Sequence, residues 1–432
     1  MLDEFAPPIE FFAAGETAEE QEANLKSVKP SPGFEPAADL CAEAILKDAT
    51  MTVLDYSAQQ VALRFQIDGL WHSGAPMDRE EGDYMLASLK QLAGVDYRER
   101  RARQSGNFGT MYLKKKQKFK LVSQGIKTGE RVALYLDYKR PPLGSCEDLG
   151  MRASMITQLH GIVNDSEMGL LVTSAVPSEG FTKVWRAALD TCDRLTRDYY
   201  TIEHVGKNEP EVINVYPIEY DSAKGEDPMS PLEQLMLKEP DVLAFPDLET
   251  GDLLNKIVDH SIAHTLPTFT RIPGKHCIDA LLRLMVLKPD VKKLADRLTA
   301  VLTMRLIRLL CEDCKIGFQP PPKMLQQLGL PQGRIAQLFR PMVYRPGMVD
   351  EDDNEVEPCA TCCGIGYRGR TGLFELLMIN DELRAAMVSD PKMGNLAAIA
   401  KRHRHVSMQM EGIVLIAGGK TSIEELQRVL KS

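Results

Sequence analysis

The stretch MGLLVTSAVPSEGFTKVWRAALDTC, residues 168–192, decides the fold. MGLLVT (168–173) is an uninterrupted apolar run that gives way to small and turn-forming residues. Phe181, Val184, Trp185, Ala188, Cys192 and Leu195 then recur at helical spacing. The reading is a buried strand, a turn and an amphipathic helix. Working outward, DYYTIE (198–203) and DVLAF (241–245) are further strand-like runs, the second fed by a helix in PLEQLMLKE. Strands alternating with helices predict a mostly parallel α/β sheet over 146–310. A long helical region is expected over 291–310, leading into a group of cysteines.

Upstream, ADLCAEAILKD has helical spacing, TVLDY and QQVALRFQIDG read as strands closing on Asp68-Gly69, and DYMLASLKQLAGV reads as a helix ending near Gly94. Strands at 117–124 and 131–138 flank a KTGE turn. This predicts a small α+β domain over 36–145, joined through the linker KRPPLGSCEDLG (139–150). Residues 1–35, rich in Pro, Glu and Ala, are expected to be a flexible lead-in. Residues 377–432 have helical pattern.

A chain of 432 residues suits two or three domains, and 44% hydrophobic with 26% charged residues is ordinary for a folded protein. The net charge of −9 argues against a general nucleic-acid binder, and aromatics at 6% argue against stacking platforms for single strands. KKKQK (114–118) and RERRAR (98–103) are local basic runs, but no nucleic-acid partner is expected. No stretch approaches the roughly 20 apolar residues that span a bilayer, and the acidic N-terminus lacks the basic flank of a signal peptide. A cytoplasmic protein is expected, reaching the membrane only through partners.

Nine cysteines are present, five of them between 311 and 363. Cys311 and Cys314 form one C-x-x-C, and Cys359 and Cys362 form another, with 44 residues between. Two such knuckles supply four thiolates to a tetrahedral Zn²⁺. Four thiolates leave no position open for water, so the site would be structural. Cys363 is a spare that would compete as a ligand. The acidic run DEDDNEVE (350–357) reads as a solvated insert, and Cys41, Cys146, Cys192 and Cys277 read as core residues.

The stretch CATCCGIGYRGRTGLFELLMINDELR (359–384) resembles the zinc-region signature of the type II secretion and type IV pilus assembly ATPases: C-x-x-C, then G-x-G-Y-x-G-R-x-G, then an E-L-L helix start. ADRLTAVLTMRLIRLLCEDCK resembles that family's approach to the first knuckle, and MEGIVLIAGGKTSIEELQRVL its C-terminal helices. LRFQIDGLW, QLAGVDYRERRARQSG and TGERVALYLD resemble its arginine-containing first domain. The matches cover nearly the whole chain after residue 36. The resemblance implies a RecA-like P-loop NTPase domain (146–310) after a small α+β domain, a four-cysteine zinc-binding insertion (311–376) and C-terminal helices (377–432). It also implies a hexameric cytoplasmic motor that hydrolyses ATP with Mg²⁺ at an inner-membrane platform.

The departures fall on the chemistry. A working phosphate loop reads G-x-x-x-x-G-K-[ST], with backbone N–H groups and a lysine on the phosphates and a hydroxyl on Mg²⁺. Here Ala175 stands at the first glycine, Gly180 at the second, Phe181 at the lysine and Thr182 at the hydroxyl. Lys183 lies two residues further on, about 200° around the helix, and is a poor substitute. The acidic G-E-I-R-D-x-E-T stretch becomes PDLET, so Asp247 aligns with either acid of the family pattern, or simply caps a helix. Glu203 survives, with His204 at the neighbouring aspartate. The H-T-N-D loop is not recognisable in FTRIPGKHC, where His276 reads as an ordinary polar residue. Arg64, Arg100, Arg101 and Arg131 remain, whereas Gln66, Ser105-Gly106-Asn107, Tyr135 and Val53 stand at other family positions. The surviving arginines read equally as salt-bridge residues.

One arginine finger is worth roughly 10³–10⁵-fold in phosphoryl transfer, so losing the lysine and further charges should multiply such losses. The expectation is retained architecture with hydrolysis lost or very weak. The chain would be a ring, scaffold or regulatory subunit, alone or in a hetero-hexamer with an active paralogue, on secretion or pilus components. Residual catalytic candidates are Glu203, Asp247, Arg64, Arg100 and Arg101; Gly180 and Thr182 are candidates for the remnant phosphate loop. Two alternatives stay open: an ATPase with an unorthodox loop, and a zinc-stabilised scaffold unrelated to secretion.

Overall fold

The computed structural model describes residues 9–137, 144–207, 209–331, 333, 335–349 and 353–431. The chain forms two compact units, one of residues 1–140 with 343–368, the other of 141–342 with 369–432.

The first unit begins with β1 (Glu10–Phe12), α1 (Ala18–Val28) and α2 (Phe34–Leu46). Next come β2 (Ala49–Tyr56), β3 (Gln60–Ile67), β4 (Leu70–Ser73), β5 (Met77–Asp78) and α3 (Arg79–Leu92). It continues with β6 (Gln104–Tyr112), β7 (Lys115–Ile126) and β8 (Gly129–Asp137). The strands make an antiparallel sheet in the order β1-β6-β7-β8-β2-β3-β4, with β5 on β3. Alternation works as read: Val61, Leu63, Phe65 and Ile67 on β3 enter the core while Gln60 and Ala62 face solvent. Asp68 and Gly69 both take positive φ, 49° and 83°, which fits the turn between β3 and β4.

The segment expected to be a flexible lead-in is instead built into this unit from residue 9. β1 pairs with β6, and Phe11, Ala13 and Val28 are buried. Thr17 accepts from the Glu20 N–H while the Glu20 side chain returns to the Thr17 N–H, a capping box that starts α1. Acid-rich composition hid both signals. Residues 1–8, residue 138 of the expected strand and residues 139–143 of the expected linker lie outside the described residues.

The second unit holds α4 (Ala153–Val163), β9 (Leu170–Ala175), α5 (Phe181–Asp190), β10 (Tyr199–His204), β11 (Val215–Tyr220) and α6 (Met229–Met236). These lead into β12 (Val242–Phe245), α7 (Gly251–Ala263), β13 (Thr268–Pro273), α8 (Cys277–Val286), α9 (Val291–Arg297) and β14 (Leu298–Leu310). Beyond them lie β15 (Ile316–Phe318), α10 (Pro322–Leu328), β16 (Leu338–Arg340) and β17 (Tyr367–Met378). The chain ends in α11 (Asp381–Ser389), α12 (Met393–Arg402), α13 (Met408–Ala417) and α14 (Ile423–Lys431). The main sheet runs β11-β10-β12-β13-β9-β14-β17, and β9 through β14 pair in parallel. The mixed α/β architecture is therefore as read.

Three expectations need correction. The helix over 291–310 is only α9; Leu298–Leu310 is the long strand β14, between β9 and the edge strand β17 and buried on both faces. A doubly buried strand shows no alternation, and an apolar run rich in Leu, Met and Arg then reads as helix. The E-L-L stretch likewise does not start a helix; Glu375, Leu376 and Leu377 lie in β17. Leu195 lies beyond the end of α5 and is 88% exposed, so the apolar stripe stops at Cys192. In the acidic run, 350–352 lie outside the described residues, and Val349 bridges Glu355.

Candidate functional site

The parallel strands of the second unit end together, and ligands of open α/β sheets sit at such carboxyl ends. β9 stops at Ala175, the chain turns through 176–179, and α5 starts at Phe181. Gly180 caps α5 with φ +95°, and a Cβ there would collide with Met304 Cε. The left-handed backbone favours glycine here, whereas the obstacle to a Cβ is only the flexible end of Met304. Thr182 and Lys183 follow it on α5, both half-buried.

Phe181, expected from the sequence to stand at a phosphate-loop lysine position, packs against the buried cluster of Val184, Trp185 and Met304. Over its ring lies Arg271 of β13. The guanidinium is 4.8 Å from the Phe181 centroid and 5.7 Å from that of Trp185. Arg271 is 5% exposed. It donates to the Pro246 carbonyl at 3.1 Å and makes a two-pronged pair with Glu209, one bond being 3.0 Å. Such planar forks are what arginine supplies and lysine does not.

Asp247 lies just beyond β12, nearly buried. Lys207 donates to its Oδ1 at 2.7 Å, and Arg271 stands 3.8 Å from the same atom. Partial burial works against the Lys207 charge, yet the hydrogen bond and charge of Asp247 hold its pKa above the ordinary lysine value. Glu203, at the end of β10, titrates above the usual carboxylate range, chiefly through burial, with Glu209 and Asp247 pushing the same way. Across the turn, Glu179 belongs to the loop itself and forms a two-pronged pair with Arg305 of β14, which is 2% exposed. The structure thus gathers Gly180, Phe181, Thr182, Glu203 and Asp247 in this unit, with protein cations already on Glu179, Glu209 and Asp247.

His204 does not replace an acid here. Its Nδ1 accepts from the Gly206 N–H at 2.9 Å and its Nε2 lies 2.6 Å from Ser222 Oγ. His276 caps α8, accepting from the Asp279 N–H at 3.2 Å. Arg64, Arg100 and Arg101 belong to the first unit. Arg64 and Arg131 converge on Asp55, and Arg64 also stacks on Trp71. Burial opposes the Asp55 charge, but the two arginines hold its pKa below the usual range. Arg100 donates to Asp83 at 2.9 Å, and Arg101 is exposed.

Sequence reading missed Glu179, Lys207, Glu209, Arg271 and Arg305. Two signals were present: an arginine inside the apolar strand FTRIP, and an acid inside the turn between β9 and α5. Neither shows its partner without the fold.

The Sγ atoms of Cys311, Cys314, Cys359 and Cys362 all lie within 4.8 Å of one another, a set that can hold a metal ion. Cys362 Sγ also accepts from the Gly366 N–H at 3.2 Å, as knuckle thiolates do. Cys363 stays outside the set; its thiol faces the Leu46 carbonyl at 3.9 Å. Cys41, Cys146, Cys192 and Cys277 are buried, as read.

Among the described residues, no helix is long and apolar enough to cross a membrane. Type II secretion system protein E of Dickeya dadantii is 25% identical over 435 aligned positions, spanning 100% of this chain and 82% of that protein. The Type IV pilus assembly ATPase PilB of Thermus thermophilus is 23% identical over 391 positions, 89% of this chain and 41% of that one. The solved ATPase DotB of Legionella pneumophila superposes with a TM-score of 0.52 at 9% identity, over 93% of this chain and 96% of that chain. At that identity the likeness is one of fold alone. The family described as Type II/IV secretion system protein matches residues 34–428, and this chain belongs to that family.

Proposed function

We propose that this chain is a catalytically silent member of the secretion-motor ATPase family. In this reading a RecA-like domain with a dismantled phosphate loop sits in a ring, beside an active paralogue, on the inner-membrane components of a secretion or pilus machine. One observation carries the reading: Arg271 lies over Phe181 where a phosphate-binding lysine would stand, and is itself paired with Glu209. The neighbouring charges support it. Glu179 puts a carboxylate in the turn that should cradle an anion, and Arg305 has already taken it. Asp247 is held by Lys207. These residues do not fit a triphosphate with its Mg²⁺, so no hydrolytic step is derived. The four sulfurs do fit Zn²⁺, whose tetrahedral thiolate cage would be structural.

The test is nucleotide titration calorimetry and phosphate release on the zinc-loaded protein. The expected result is no heat at millimolar Mg·ATP and no turnover. Turnover abolished by Thr182→Ala would overturn the reading. A second reading rests on Lys207, whose side chain is 40% exposed beside Asp247. It holds that nucleotide binds without being hydrolysed, and it requires calorimetric binding that Lys207→Ala removes.

A further inference from the structure

Residues 100–129 contain nine basic residues and no acid, within a chain of net charge −9. Most of this charge falls on the β6–β7 hairpin of the first unit. Tyr112 pairs with Lys115, leaving Leu113 and Lys114 as a two-residue turn. Both take left-handed conformations, φ 48° and 63°. Turns of this hand favour Asn and Gly, because a side chain there costs backbone strain. This one instead carries an apolar residue, Leu113, 50% exposed, followed directly by three lysines.

Strand alternation extends the pattern. Gln117, Phe119 and Leu121 of β7 face the core; Lys116, Lys118 and Lys120 face outward, about 7 Å apart by strand rise. Lys116 is steadied 4.8 Å over the Phe12 ring. Beside them a groove is lined by Phe12, Arg103, Lys116, Lys118, Lys120 and Tyr135. Glu10 of β1 and Asp137 of β8 are the acids nearest in register, opposite Met111 and Lys118. Among the described residues, none of Lys114, Lys115, Lys116, Lys118 and Lys120 is within ion-pair distance of either.

A nucleic-acid surface reads charge together with stacking or base edges; the turn itself offers no aromatic side chain, and the exposed Tyr135 ring lies back along the sheet opposite Lys120. An anionic bilayer rewards a different pair of features: clustered lysines for the headgroup phosphates and an apolar residue for the boundary beneath them. The turn presents that pair. We propose that the β6–β7 hairpin docks on anionic phospholipid, with Leu113 entering the headgroup boundary and Lys114, Lys115, Lys116, Lys118 and Lys120 facing the phosphates. Such docking does not depend on whether the nucleotide site is active.

The experiment is co-sedimentation of the full chain with vesicles of phosphatidylcholine alone or mixed with phosphatidylglycerol, run beside anisotropy with single-stranded and duplex DNA. Binding is expected only to the mixed vesicles, weakening steeply with salt. Each lysine near such a surface contributes a several-fold gain, so the variant K114Q/K115Q/K116Q/K118Q is expected to bind on the order of a hundredfold more weakly or worse. Leu113→Ser is expected to weaken vesicle binding several-fold and leave DNA unaffected. All five side chains are exposed, and circular dichroism with unchanged zinc content would verify folding; K116Q/K118Q serves if the quadruple variant misfolds. Vesicle binding that ignores lipid charge, or survives both lysine variants, would overturn the proposal. So would DNA binding at equal or lower concentration with Leu113→Ser silent, which would assign the hairpin to nucleic acid.

Discussion

The guanidinium of Arg271 lies 4.8 Å over the ring of Phe181, so the first side chain of α5 serves as the apolar floor of a buried cation. Buried guanidinium over an aromatic face is favourable when the remaining donors are satisfied, and here Glu209 and the Pro246 carbonyl satisfy them. The two side chains suit one another, which bears on any change at Phe181.

Phe181→Lys alone should not revive the site. The new ammonium would be set against the Arg271 guanidinium, whose carboxylate partner Glu209 is already engaged, as Asp247 is by Lys207. The expected outcome is no ATP turnover and a lower melting temperature. Phosphate release by this single variant would show that the arrangement around Arg271 is no barrier.

Removing Arg271 should cost more than removing the pair. Arg271→Met leaves the buried Glu209 carboxylate without its partner, and breaking such pairs costs about 3–5 kcal/mol. Glu209→Gln added to it should recover much of that loss. A double-mutant cycle by thermal denaturation measures the coupling; additive losses would contradict it.

Gly180→Ala tests the strained turn. The left-handed backbone is worth about 1–2 kcal/mol against a residue bearing Cβ. The overlap is with the flexible end of Met304, which can give way, so it adds little. Met304→Ala in the same chain should relieve the overlap but not the backbone term. Full recovery in the double variant would refute the division.

Metal removal should uncouple the knuckles. We expect one Zn²⁺ per chain by native mass spectrometry, lost in Cys311→Ser or Cys359→Ser, and a fall in melting temperature on chelation. Cys363→Ser should retain full zinc, since that thiol lies outside the four-sulfur set.

The docking of α14 on β14 should fail in acid. Glu425 receives Arg428 and Arg308, whose N–H groups approach to 2.7 Å. Burial alone would raise its pKa, but the two arginines bring it down from 4.5 to about 2. Its contribution is therefore complete above the unfolded pKa and is lost as pH falls from 4.5 toward 2. Glu425→Gln should lower stability at neutral pH by about 2 kcal/mol, allowing for partial solvent screening. The difference from the parent should vanish near the bottom of that window; a constant gap across acid titration would contradict the assignment.

How much of this was legible follows from the range of each interaction. β9, the turn and α5 were readable because an apolar run, turn residues and helical spacing are local signals. β14 and β17 were not, because burial on both faces erases the period that separates strand from helix. The capping box at Thr17 and Glu20 was local too, yet was masked by an acidic composition that resembles disorder.

The sequence by itself determined the parallel α/β framework, the two C-x-x-C pairs and the strand, turn and helix that carry Phe181. These depend on residue type at short spacing. Only the tertiary structure decided what became of the charges left behind. Residues 179 and 305, 207 and 247, and 209 and 271 are far apart in the chain. Whether each is an exposed charge or half of an internal pair depends on which strand ends lie side by side, and that follows from sheet order, which no local pattern encodes.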